Sequence, residues 1–245
     1  MFHLADGSQT YAVTWMAGVH VFVPSFDADL VGRVIEREQV TMTLIVPSMI
    51  NMLVNHAGTA HRDLSSLRLL IYGASPMPAQ LQQTAMKLLP CEFTQLYGMT
   101  EAAPLLTQCS PEDHRRGAAG EEPYAGRLRS AGAPVIGVQA EVRREDGTRA
   151  EVGEVGEVWA RGPNIMRGYL NRPEETAAAL DDDGWYHSGD AAWADEHGYL
   201  YIVDRVKDMI ISGGENVYSA EVENALFAHP SVVEVAVFGV PHERF

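Results

Sequence analysis

The chain has 245 residues, room for one large domain or two modest ones, and its 46% hydrophobic and 21% charged residues are ordinary for a globular protein. Eighteen basic residues against 33 acidic ones give a net charge of −15, which excludes the basic footprint that duplex nucleic acid demands and makes anionic membrane surfaces poor partners. Lys87 and Lys207 are the only lysines, and Cys91 and Cys109 have no zinc-ligand spacing and no partners for a disulfide framework.

That cysteine usage points to a reduced, cytoplasmic setting. Met1 to Gln9 lacks the basic and apolar parts of a signal peptide. The most apolar stretch, Val19 to Phe26, is too short to span a bilayer. Asp29 to Glu38 then reads as an amphipathic helix, with Leu30, Val34 and Ile35 on one side. Thr41 to Val46 is a β-branched strand ended by Pro47, and a helix is expected from Ser48 to His56. Leu67 to Tyr72 is an apolar strand stopping at Gly73, Pro78 to Leu89 a helix, and Phe93 to Leu96 a strand. Strands separated by helices predict βαβ units and a parallel sheet.

Beyond Glu101 the texture changes. Ser110 to Gly120 reads as a polar surface loop. Val135 to Arg143 and Glu154 to Ala160 read as strands around a turn at Glu145-Asp146-Gly147, the start of an antiparallel, barrel-like part. Pro173 to Leu180 predicts a helix. Tyr199 to Val203 and Met209 to Ile211 predict strands flanking a charged segment. A helix over Ala220 to Phe227 and a strand over Val232 to Phe238 complete the expected elements.

No GxxxxGK[ST], GxGxxG, HExxH or GxSxG occurs, so the common phosphate loops, zinc hydrolases and serine elbows are excluded as written. Three glycine-bearing segments remain. Tyr72-Gly73-Ala74-Ser75-Pro76 permits close backbone approach to a flat ligand, or is a plain strand-to-helix turn. Gln95-Leu96-Tyr97-Gly98-Met99-Thr100-Glu101 offers a ring to stack on a base, a hydroxyl for a phosphate and a hard carboxylate oxygen suited to Mg²⁺. A helix cap beside a structural tyrosine is its alternative. Trp185 to Asp190, with Asp204-Arg205 following, offers an acceptor for ribose hydroxyls beside a cationic donor, or a salt-bridged turn.

Taken in order, Tyr97-Gly98-Met99-Thr100-Glu101, His187-Ser188-Gly189-Asp190 and Asp204 to Glu223 resemble core motifs of the adenylate-forming superfamily of acyl- and aryl-CoA ligases, luciferases and peptide-synthetase adenylation domains. Gly168-Tyr169 with Pro173-Glu174-Glu175-Thr176 resembles a further family segment. The wording of Ser212-Gly213-Gly214-Glu215-Asn216-Val217-Tyr218 is most similar to fatty-acyl-CoA ligases.

The resemblance implies an α/β fold: the later part of a large domain, then the start of a small α+β domain. Residues 1–204 would belong to the large domain, 1–108 forming its parallel α/β layers and 109–204 a small antiparallel β-barrel part. Residues 205–245 would be the hinge and the first part of the small domain. It further implies ATP/AMP, Mg²⁺ and CoA as ligands and a carboxylate, most simply a fatty acid, as substrate. Tyr97 would stack on adenine, with Gly73, Ala74, Ser75 and Gly98 lining the base site and Gln95 at its edge. Thr100 would hold the α-phosphate and Glu101 the Mg²⁺. Asp190 and Arg205 would grip the ribose, and His3 would sit near the acyl carboxylate. Lys207 would be the hinge, and Gly213 and Gly214 would line the pantetheine channel.

The family's Ser/Thr/Gly-rich phosphate loop and its carboxy-terminal lysine have no counterpart among these residues, so the chain is expected to be an incomplete ligase, weakly active or inactive by itself. Exposed strand edges would favour self-association. An aryl, carnitine-type or amino-acid substrate, or a non-catalytic nucleotide-binding scaffold, remains as the alternative.

Overall fold

The computed structural model describes residues 3–207, 209–212, 215–227, 229, 231, 232 and 235–240, with the backbone alone at 211, 212, 215, 216 and 224. Two compact units divide the chain, Met1–Arg129 and Ser130–Phe245.

In the first unit the elements run α1 (Leu4–Trp15), α2 (Ala28–Glu38), β1 (Met42–Leu44), α3 (Pro47–Asn55), β2 (Leu69–Gly73), α4 (Ala79–Leu88), β3 (Glu92–Tyr97), β4 (Thr107–Cys109), α5 (Pro111–Ala118) and α6 (Tyr124–Arg127). The strands lie in the order β1-β2-β3-β4. β1, β2 and β3 are parallel, with Tyr72 opposite Gln95 and Gly73 opposite Leu96, while β4 runs antiparallel to β3. The expected parallel α/β rhythm is therefore present.

Local chemistry explains the boundaries. Asp27 caps α2 by accepting from the Leu30 amide at 2.8 Å, and the helix stops at Gln39, whose φ of 52° is left-handed. Pro47 starts α3, where its missing amide proton costs nothing. In β2 the run Leu70-Ile71-Tyr72 is buried on both faces, as a central parallel strand requires. Ile35, Ile50, Leu53, Leu70, Tyr72 and Phe93 form the heart of one core cluster.

Several elements differ from expectation. The expected loop at Ser110 to Gly120 is instead helix α5. Ser110 Oγ accepts from the Asp113 amide at 3.1 Å while the Asp113 carboxylate accepts from the Ser110 amide at 3.0 Å, a reciprocal cap that outweighs the glycine and the paired arginines. α1 and β4 have no counterpart in the expected elements.

The second unit contains β5 (Ala133–Pro134), β6 (Gln139–Arg143), β7 (Gly156–Arg161), α7 (Pro173–Ala179), β8 (Tyr186–Ala194), β9 (Leu200–Arg205), β10 (Ile210–Ser212), β11 (Glu215–Val217) and α8 (Ser219–Phe227). β6-β7-β8-β9 is an antiparallel sheet, as the meander reading expected, and β10 and β11 form a hairpin. β6 begins later than Val135 because Val138 donates back to the Val135 carbonyl and Gly137, at φ +85°, closes that turn. Cross-strand stacks fix the pairing: Trp159 on His187 with centroids 3.8 Å apart, and Trp193 on Tyr201 at 3.9 Å. Arg143 lies 4.0 Å over the Trp185 ring. The expected strand over Val232 to Phe238 is not formed by its described residues, and Val233 and Glu234 lie outside them. Among the described residues no helix is long and apolar enough to cross a membrane.

Candidate active site

In the first unit, Gly73 and Tyr97 are the last residues of the adjacent parallel strands β2 and β3. Carboxyl ends of parallel strands are where α/β sheets take ligands. The backbones there are too close for side chains. A Cβ on Gly73 would sit 2.2 Å from the Leu96 carbonyl oxygen, and one on Gly98 would sit 1.9 Å from that of Pro104. Ala74 holds a left-handed φ of 68°, a conformation that costs an L-residue roughly 1–2 kcal/mol. Thr100 and Glu101 follow in a single 3-10 turn, Thr100–Ala102, with Thr100 exposed and Glu101 half-buried. The structure thus brings Gly73, Gln95 and Tyr97 to one sheet end, with Ala74, Ser75, Gly98, Thr100 and Glu101 in the turns that leave it. Among the described residues no group of three or more His, Cys, Asp or Glu could by itself hold a metal. A single carboxylate such as Glu101 would suit Mg²⁺ arriving on a nucleotide, because that ion keeps its waters and the phosphates as most of its ligands.

Beneath this end lies a polar node that the sequence reading did not find. Tyr72 is fully buried, and its hydroxyl lies 2.8 Å from His114 Nε2, 2.8 Å from Gln82 Nε2 and 3.4 Å from Gln95 Oε1. His114 Nδ1 is 2.8 Å from the Ser110 carbonyl. Burial pushes the Tyr72 phenol far above its usual range. Burial also holds the His114 imidazole below its ordinary value of 6.5, against the opposing pull of the Ser110 carbonyl and the Asp113 and Glu92 carboxylates. A histidine kept neutral in the fold stabilises it above pH ~6.5 only. As pH falls through that value the unfolded chain takes up a proton that native His114 refuses. Stability is expected to drop with a slope approaching about 1.4 kcal/mol per pH unit until native His114 titrates. Urea unfolding at several pH values tests this, with a flatter acid limb expected for His114→Asn.

In the second unit, Asp190 on β8 pairs in register with Arg205 on β9, and Arg205 Nε lies 3.7 Å from Asp190 Oδ1. The Asp190 side chain is 15% exposed and that of Arg205 64%. Gly189 precedes them at φ +72° and donates its amide to Glu157 Oε1 at 2.7 Å. The other Glu157 oxygen accepts from Trp159 Nε1 at 3.0 Å, so Glu157 anchors the turn that carries Asp190. Ser188 Oγ accepts the Asp190 amide at 3.0 Å. Asp204 takes the Ser219 amide at 2.7 Å and the Ser219 hydroxyl at 2.9 Å on one oxygen, tying the end of β9 to the first residue of α8. Glu157 is absent from the expected site, because a carboxylate two positions before a strand tryptophan carries no recognisable signal. Asp204 is expected there only as the neighbour of Arg205, and its tie to Ser219 has no counterpart in that reading.

The remaining candidates lie apart in kind. His3 is the exposed N-cap residue of α1, and Lys207 lies in an exposed turn after β9. Gly213 and Gly214 lie outside the described residues.

Comparison with known proteins defines the class first. Residues 1–170 match the profile of AMP-binding enzyme, and residues 221–245 that of the AMP-binding enzyme C-terminal domain. A feruloyl-CoA synthase of Amycolatopsis sp is 41% identical over 246 residues, covering 100% of this chain and 48% of that protein. A medium/long-chain-fatty-acid–CoA ligase of Mycobacterium tuberculosis is 40% identical over 229 residues, covering 93% of this chain and 38% of the relative. The solved o-succinylbenzoate coenzyme A synthetase of Bacillus subtilis, in complex with ATP and magnesium ion, superposes with a TM-score of 0.84 at 32% identity, over 99% of this chain and 48% of its own. The chain belongs to the AMP-binding family of adenylate-forming enzymes, whose relatives here are acid–CoA ligases. It spans about half the length of those two curated relatives or less.

Proposed function

We propose that these residues are part of an ATP-dependent acid–CoA ligase working in the cytoplasm on a fatty acid. In the first half-reaction a carboxylate oxygen attacks the α-phosphorus of ATP and pyrophosphate leaves. In the second, the CoA sulfur attacks the acyl carbonyl and AMP leaves. The observation that carries this is the bare-backbone lip at Gly73 and Gly98, beside Tyr97, Thr100 and Glu101 at the ends of parallel strands.

On this reading the Tyr97 ring stacks on adenine, Gly73, Ala74 and Ser75 line the other side of the base, and Gln95 meets its edge. The Thr100 hydroxyl donates to an α-phosphate oxygen. Mg²⁺ neutralises phosphate charge, and Glu101 would hold it. Asp190 accepts from the ribose hydroxyls with Arg205 beside it, and His3 lies near the acyl carboxylate. Lys207 is the hinge of a small domain over residues 205–245, and Gly213 and Gly214 serve the pantetheine arm.

The wording of Ser212 to Tyr218 and the mycobacterial relative support a fatty acid. The similarity to a feruloyl-CoA synthase supports an aryl acid as the second reading. Calorimetry with decanoyl-sulfamoyl-adenosine and its feruloyl counterpart tests both. Tighter binding of the decanoyl compound is expected, and tighter binding of the feruloyl compound would move the substrate to the aryl class. Binding of neither would reject a nucleotide site and leave a scaffold. Given ATP, magnesium, decanoate and CoA, the 245-residue chain alone is expected to form no thioester, and clean thioester formation would overturn that expectation.

A further inference from the structure

The hydroxyl of Tyr72 has one proton and three polar neighbours, and the neighbours decide where that proton goes. The Ser110 carbonyl can only accept, so His114 Nδ1, 2.8 Å away, carries a hydrogen. In the neutral ring Nε2 is then a bare acceptor, and it lies 2.8 Å from Tyr72 Oη. Gln82 Nε2 donates both to Tyr72 Oη at 2.8 Å and to the Leu128 carbonyl at 3.2 Å, so its amide end is settled as well. Tyr72 therefore gives its proton to His114 and receives one from Gln82. What it has left for Gln95, 3.4 Å away, is a lone pair. A lone pair facing the Gln95 carbonyl oxygen is repulsive. Facing the Gln95 NH₂ it becomes a hydrogen bond, and a half-turn of the carboxamide exchanges the two at no steric cost.

We propose that Tyr72 is a positioning residue for base recognition: locked by His114 and Gln82, it holds the Gln95 carboxamide with its NH₂ on Tyr72 and its carbonyl oxygen free to accept from a 6-amino group. That polarity suits a 6-aminopurine nucleotide and repels a 6-oxopurine, whose O6 is itself an acceptor. The inference rests on the placement of Gln95 at the base edge under the proposed function. The node is buried, with Tyr72, Gln82 and His114 each 2% exposed or less, so water cannot substitute for a lost partner.

The test compares decanoyl-sulfamoyl-adenosine with its guanosine counterpart by calorimetry on the full chain. The native protein is expected to prefer adenosine. Tyr72→Phe is expected to narrow that preference about tenfold, the discrimination one oriented hydrogen bond provides. Ile50→Val, a change in the same buried core cluster that removes none of the node's polar groups, is expected to lower stability and leave the preference intact. Narrowing by both variants alike would reduce the node to a structural role, and an unchanged preference in Tyr72→Phe would overturn the proposal alone. Native protein that binds neither compound would instead overturn the function proposed above, and the base recognition with it. The tautomer is read without nucleotide, and without any variant, from the ¹⁵N shifts of His114. A proton on Nδ1 is expected, and a proton on Nε2 in the neutral ring overturns the proposal whatever the binding shows.

Discussion

Gly98→Ala is expected to weaken binding of decanoyl-sulfamoyl-adenosine by a hundredfold or more, or to abolish it. The added methyl would meet the Pro104 carbonyl oxygen at 1.9 Å, the Pro104 carbonyl carbon at 2.9 Å and the Leu105 Cα at 3.0 Å. All three atoms are backbone, so no side-chain rotation relieves the contact. Relief requires the strand end and the returning chain to separate, yet the Leu106 amide donates to the Tyr97 carbonyl at 2.9 Å and resists this. The turn Thr100–Ala102 lies between those two points, so Thr100 and Glu101 must move with it. A misplacement of about 1 Å in a positioned group costs on the order of 10²-fold. Overpacking adds about 1–3 kcal/mol of lost stability. Gly126→Ala is the control. A Cβ there meets nothing within 4 Å, and both binding and stability are expected to match the native protein. Native-like affinity in Gly98→Ala would remove the bare-backbone lip from the binding argument.

How much of this was legible beforehand follows from how far each interaction reaches along the chain. β2 and β3 announce themselves because a strand buried on both faces must be apolar throughout. α2 does so because Leu30, Val34 and Ile35 recur at helical spacing, a local signal, although the residues it buries are Ala28, Gly32 and Ile35. α5 had a local signal as well, since Ser110-Pro111-Glu112-Asp113 is a capping-box pattern, but its polar residues hide a buried face. That face is buried because its polar groups are paired: Asp113 with Arg127 at 3.6 Å, and His114 with Tyr72. Such pairing joins residues 14 and 42 positions apart and leaves no periodic trace. Tyr72 was unreadable for the same reason. Within Leu67 to Tyr72 it looks like one more apolar residue, and only the fold brings Gln82 and His114 to its hydroxyl. The glycine motifs were legible because a close backbone approach leaves a residue type behind. Glu157, which holds the Gly189 amide across 32 residues, leaves none.

The ribose reading makes the other large prediction, in the second unit. Asp190→Ala is expected to weaken decanoyl-sulfamoyl-adenosine by about a hundredfold, because a carboxylate accepting two ribose hydroxyls makes two charge-assisted hydrogen bonds at roughly 1.5–3 kcal/mol each. The surroundings of Asp190 would suit that role. Its carboxylate is largely shielded, and the Glu157 and Ser188 contacts to the backbone hold the turn at Gly189 in place. Asp190→Asn keeps one acceptor and loses the charge, so its loss should fall between that of alanine and the native protein. Arg205→Ala should cost less than tenfold, because its guanidinium is mostly in water and its pairing with Asp190, at 3.7 Å, is screened. A 2′,3′-dideoxy analogue separates ribose contact from general damage. It should bind the native protein as weakly as the parent compound binds Asp190→Ala, and Asp190→Ala should no longer distinguish the two. If Asp190→Ala instead binds the parent compound within twofold of the native protein, Asp190 and Arg205 form a salt-bridged turn and the ribose is held elsewhere.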